Sequence, residues 1–168
     1  VDFLARKHGT AFRAGKGDFA ICELSHAGKE VMLLKPLTFM NNSGVAVEQV
    51  VNKLDVETSR ILVLYDDFNL PFGRLRLRAA GSDGGHNGMA SVIYHLQTEK
   101  IARMRIGSRN DDFFLNATQF VLSDFNEQEK KHLPRVIEQS ACAAESVVEN
   151  GISKSMNLFN GNLLRDTH

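Results

Sequence analysis

An arginine–leucine alternation, Arg74-Leu75-Arg76-Leu77-Arg78, leads into the stretch Gly81-Ser82-Asp83-Gly84-Gly85-His86-Asn87-Gly88 and then into the apolar run Met89-Ala90-Ser91-Val92-Ile93-Tyr94-His95-Leu96. Period-two alternation is what a strand with one buried face requires, and the apolar run reads as a helix. Strand, tight turn and helix in direct succession point to an α/β fold. Four glycines in eight residues let the backbone take φ > 0 and approach closely whatever sits in the turn. The same turn carries an imidazole, a carboxamide and the free N–H groups that open a helix, a set suited to polar or anionic ligands. Its plainer role is a strand-to-helix connection with Asn87 as N-cap.

The other elements fit the same class. Val1–His8 reads as the end of a helix that stops at Gly9, so the chain opens mid-element. Phe19–Leu24 and Glu30–Lys35 are strand-like, and Ser25–Lys29 suits a hairpin. Val47, Val50, Val51 and Leu54 recur at helical spacing after Ser43-Gly44. Arg60–Tyr65 is a continuous apolar run, expected as a buried strand ending at Asp66-Asp67. Leu70–Gly73 is a turn, Arg74–Ala80 a half-buried strand and Ile101–Ile106 another. Asn126 opens a capping pattern for a long helix ending near Gly151, with Pro134 predicting a kink or a later start. Ser153 is expected to cap a short final helix through Leu158. Interleaved strands and helices predict one domain over residues 1–168: a three-layer α/β sandwich, its twisted sheet mixed but mostly parallel, with helices on both faces.

Composition narrows the function class. The chain is 43% hydrophobic and 24% charged, ordinary for a globular protein. Cys22 and Cys142 have neither metal spacing nor a disulfide framework, which predicts a reducing, cytoplasmic setting. No apolar run approaches membrane-spanning length. The net charge of zero hides an uneven distribution: residues 74–109 carry seven basic and two acidic side chains, residues 110–168 five and nine. The basic block beside the glycine-rich loop is expected to bind anions.

Three polar clusters then stand out at expected loop ends: Phe39-Met40-Asn41-Asn42-Ser43-Gly44, Asp66, and Gly84-Gly85-His86-Asn87-Gly88. Two carboxamides, Asn41 and Asn87, suit recognition of peptide-like groups. A carboxylate such as Asp66 suits orienting a histidine and stabilising its charged form. Ser43 is better explained as a helix cap than as a nucleophile, and no cysteine lies nearby in sequence.

These clusters, with Leu34–Thr38 before the first, Asp67–Gly73 after the second, Arg105-Ile106-Gly107 and Met156-Asn157-Leu158-Phe159-Asn160-Gly161, resemble bacterial-type peptidyl-tRNA hydrolases over essentially the whole length. The separations agree: 25 residues from Asn41 to Asp66 and 20 from Asp66 to His86. The resemblance implies metal-independent hydrolysis, without a cofactor, of the ester joining a peptide to the 3′ ribose of tRNA. It implies that Asp66 holds a histidine general base in its basic form, and that Asn41 and Asn87, with Phe39 and Met40, contact the peptidyl-adenosine end. Arg78 and Arg105 match basic positions that clamp the tRNA 5′ phosphate. His86 is expected to order its loop through hydrogen bonds, and Asp111–Asp124 to resemble a gate with Phe113, Phe114 and Phe120. A monomer with no membrane contact and no obligate protein partner is expected.

The family's catalytic histidine belongs to a Thr-Arg-His-Asn segment that would lie upstream of Val1, so the polypeptide as written is expected to have little or no activity. Two other readings share parts of the pattern. A non-catalytic RNA-binding relative would keep the scaffold without a chemical need for Asp66. A hydrolase of small peptides or amides would share the architecture and be indifferent to tRNA.

Overall fold

The computed structural model describes residues 1–109 and 124–162. Its elements are α1 (Asp2–Lys7), β1 (Arg13–Ala14), β2 (Phe19–His26), β3 (Lys29–Pro36), α2 (Ser43–Leu54), β4 (Leu62–Pro71), β5 (Arg74–Arg78), α3 (Asn87–Leu96), β6 (Ala102–Arg109), α4 (Glu127–Asn150), α5 (Ile152–Phe159) and β7 (Gly161–Asn162). The α/β class is as expected. The strands, however, are shared between two sheets, ordered β1-β2-β3 and β4-β6-β5-β7. That division departs from the single sheet read from the sequence; of its pairings, β1–β2, β2–β3 and β5–β7 are antiparallel. The β2–β3 case has a simple cause. Only Ala27 and Gly28, both with positive φ, separate His26 from its partner Lys29, and so short a connection cannot make a parallel crossover.

The chain's contacts group into two compact units. The first comprises Val1–Val63 and Ala79–Arg103. In it β2 alternates, burying Phe19 and Ile21 against Ala46 of α2, with Met32, Leu34 and Val50 packed around them. Helix α2 lies against α3 at Gly44, where a Cβ would run into the Ser91 carbonyl. In its place the Gly44 N–H donates to the Ser91 Oγ at 2.9 Å. Ser43 is the first residue of α2 rather than its cap, and its hydroxyl donates to the Met40 carbonyl at 2.9 Å.

The second unit comprises Leu64–Arg78 and, from Met104 onward, the rest of the chain. β5 alternates as expected, with Leu75 and Leu77 buried and Arg74 and Arg78 exposed. Gly107 of β6 has the Pro71 carbonyl where a Cβ would stand, so this approach admits no side chain. Helix α4 opens with the expected capping box: the Asn126 Oδ1 accepts from the Glu129 N–H, and the Glu129 Oε2 accepts from the Asn126 N–H. It starts upstream of Pro134 and runs through it. Gly151, not Ser153, caps α5. The Ser155 hydroxyl meets both the Gly151 carbonyl and the Ser146 hydroxyl at 2.9 Å, binding α5 to α4. The expected gate lies, apart from Asp124, outside the described residues.

Asn160 continues β5 without being part of it: its carboxamide accepts from the Leu77 N–H at 2.6 Å and donates to the Leu77 carbonyl at 3.2 Å. Leu77 is fully buried, so Asn160→Ala leaves a donor and an acceptor unsatisfied. We expect a loss of about 1–3 kcal/mol, measured as a lower urea midpoint with an unchanged slope.

Candidate functional site

The first group of site residues is built in the first unit. Phe39 precedes a single 3-10 turn, Met40–Asn42, so Phe39, Met40 and Asn41 are presented outward, with Phe39 83% exposed. Phe39 also lines an open depression with Asp18, Leu37, Thr38 and Asn42. This turn packs against the start of α3. A Cβ at Gly88 would sit 2.6 Å from the Met40 Sδ and 3.0 Å from the His86 Cε1. Gly44 and Gly88 thus have one structural reason: each removes the side chain that would hold the two motifs apart.

His86, not Asn87, is the N-cap of α3, its Nδ1 accepting from the Met89 N–H at 3.1 Å. That bond places the proton of a neutral ring on Nε2 and occupies the lone pair a general base would use there. The role expected of His86, ordering the loop, is what the geometry supplies. Asp83 orders the same loop from one turn earlier. Its carboxylate accepts from the Gly85 N–H at 2.7 Å and its carbonyl from the His86 N–H at 3.1 Å. Gly84 and Gly85 take φ of +62° and +83°, which a side chain would resist. Asn87 is left exposed, and like Asn41 its carboxamide has no partner among the described residues.

The loop is anchored from below by Arg103. This residue is 2% exposed, so the expectation that it adds to an anion-binding surface is corrected. Its Nη1 donates to the carbonyls of Gly81 and Ser82, its Nη2 to those of Glu99 and Ile101, and its Nε also to Ile101.

The second group belongs to the second unit. β4 does not end at the acidic pair but runs through it to Pro71, so strand alternation sends Asp66 out and Asp67 in. Asp66 is exposed and has no hydrogen-bond partner among the described residues. Asp67 is 4% exposed. Its Oδ1 accepts from the Asn69 N–H at 2.7 Å and its Oδ2 from the Arg105 Nε at 2.5 Å. Arg78 is exposed. Arg78 above all, then partial burial, Arg105 and Arg74, push the Arg76 guanidinium below its usual pKa. Arg76 therefore lies in the field of three other arginines of this unit.

A family model for peptidyl-tRNA hydrolase matches residues 1–167. The chain belongs to the peptidyl-tRNA hydrolase family. Among its relatives, the peptidyl-tRNA hydrolase of Chlorobaculum parvum is 42% identical over 161 residues, 95% of this chain and 85% of the relative. That of Chlorobium phaeobacteroides (strain DSM 266) is 44% identical over the same span and shares. The crystal structure of peptidyl-tRNA hydrolase from Acinetobacter baumannii superposes with a TM-score of 0.85 at 26% identity, covering 94% of this chain and 81% of that one.

Three residues on which the site's geometry turns were not singled out from the sequence: Asp67, Arg103 as a buried clamp, and Asn160. Strand alternation through Asp66-Asp67 was the available signal for the first. Nothing local marks Arg103 as buried among arginines of the same period. If His86 is a cap, His86→Ala should lower stability by about 0.5–2 kcal/mol, read by chemical denaturation, while His86→Asn, also a good cap, should recover most of it.

Proposed function

We propose that the protein hydrolyses the ester between peptide and tRNA, releasing tRNA from peptidyl-tRNA in the cytoplasm. The observation that carries this reading is the pair of carboxamides, Asn41 and Asn87, exposed and without partners among the described residues, on two glycine-tight motifs in a member of this family. Each carboxamide offers two donors and an acceptor, matching the amide groups of a peptide and the edge of an adenine. A donor of this kind also stabilises the oxyanion that forms when water adds to the ester carbonyl. Collapse of that intermediate expels the ribose oxygen, and both steps need a proton moved.

Asp66 serves that proton transfer by accepting from an imidazole N–H, which keeps the second ring nitrogen basic. His86 is not the imidazole in question, since its Nδ1 is engaged within α3. Nor is His95, whose Nδ1 lies 2.9 Å from the Glu48 Oε2. Arg78 and Arg105 take the 5′ phosphate, because a guanidinium pairs with phosphate through parallel N–H bonds. Phe39 offers an exposed ring on which a base can stack.

Release of peptide from peptidyl-tRNA by the protein is the decisive assay. Asp66→Asn should lower the rate by roughly 10²-fold or more, with tRNA affinity retained or slightly raised and no effect of a metal chelator. Salt-dependent tRNA binding without ester cleavage would instead favour the RNA-binding alternative. Arg78→Gln should flatten the slope of log affinity against log salt concentration by about 1, and an unchanged slope would remove Arg78 from the phosphate contact.

A further inference from the structure

We infer that Asp67 is a positioning residue that holds the Arg105 guanidinium with its terminal nitrogens turned toward the phosphate. The inference rests on the reading of Arg105 as a phosphate contact. It starts from an unusual division of hydrogen bonds. The Asp67 side chain is 5% exposed and that of Arg105 21%, so a nearly buried carboxylate holds a cation that is itself partly exposed. Both carboxylate oxygens are occupied, one by the Asn69 N–H and one by the Arg105 Nε.

Arginine–carboxylate pairs that serve stability alone often use two parallel bonds from the end of the fork. Here the inner nitrogen is used. The Nη1 and Nη2 groups have no partner among the described residues. Arg105 also shares its surroundings with other cations, since Arg76 responds to Arg78, Arg105 and Arg74. Unrestrained, a long side chain in such a field would spread over many rotamers away from its neighbours. A fixed carboxylate at its Nε removes that freedom before any ligand arrives, which lowers the entropic cost of binding. Asp67 therefore acts through Arg105 and touches no substrate itself.

The test uses the full chain and a fluorescent RNA hairpin with a single-stranded 3′ end, made with and without a 5′ monophosphate. The readout is the ratio of the two dissociation constants at fixed salt. In the wild-type protein the phosphorylated hairpin should bind about tenfold tighter, the size of one charge-assisted hydrogen bond. Asp67→Asn, which preserves shape and can still accept from Asn69, should bring the ratio down to about threefold, the part left to Arg78, while changing affinity for the unphosphorylated hairpin less than twofold. Arg105→Gln should do the same, and the double variant should lose nothing more. A wild-type ratio in Asp67→Asn, with the ratio lowered in Arg105→Gln, overturns the positioning role alone. Equal weakening toward both hairpins in Asp67→Asn marks a merely structural role and overturns it too. An unchanged ratio in Arg105→Gln removes the phosphate contact and the positioning role with it. If Asp67→Asn unfolds, the native protein decides by NMR. The Arg105 Nε–H signal should be protected from exchange without RNA and remain so when the phosphorylated hairpin binds; an unprotected signal overturns the inference.

Discussion

One buried cation orders much of the glycine-rich loop. Taking a guanidinium out of water costs several kcal/mol unless its donors are met, and Arg103 meets them with the carbonyls of Gly81, Ser82, Glu99 and Ile101. Two of those carbonyls begin the loop, whose glycines would otherwise leave its backbone free. The Gly81 N–H adds a bond to the Glu99 carbonyl at 3.2 Å. With its base fixed in this way, the loop is closed further on by Asp83 and by the His86 cap. Asn87 is then delivered at the first turn of α3 with its carboxamide unengaged among the described residues.

Glycine does in this loop what it also does at the other motif, but for different reasons. At Gly84 and Gly85 the backbone angle is the requirement, since both lie in the left-handed half of φ space. At Gly44 and Gly88 the requirement is space: one faces the Ser91 carbonyl and the other the Met40 sulfur. A motif read as letters does not separate these two uses. The structure does, and it explains why Met40-Asn41-Asn42-Ser43-Gly44 and Gly84-Gly85-His86-Asn87-Gly88 act as a pair within one unit.

Much of this was legible in the sequence because it is periodic or local. Alternation placed Leu75 and Leu77 inside β5, helical spacing placed α2, and the Asn126–Glu129 pair announced the start of α4. What was not legible depends on partners distant in the chain. The division into two sheets is one instance, because periodicity identifies a strand but not the neighbour it pairs with. Arg103 and Arg105 are another: separated by one residue, one is consumed by backbone carbonyls and the other keeps its terminal nitrogens. Asn160 is a third, for a carboxamide in a motif invites a ligand role, and only its reach to Leu77, far back in the chain, reveals a structural clip.

The acidic pair carries the functional reading furthest. Asp66 and Asp67 are adjacent in β4, and the pleat sends them to opposite faces. Asp67 turns inward, where its carboxylate pairs with Arg105. Asp66 turns outward in the same unit, where a carboxylate only weakens attraction for a polyanion. A surface built solely to hold RNA gains nothing from such a residue and would bind more tightly with Asn in its place. An exposed carboxylate makes sense when a proton must be moved next to a bound phosphate polymer. That balance, some affinity surrendered for a group that can orient a base, favours a hydrolase over a passive RNA-binding scaffold.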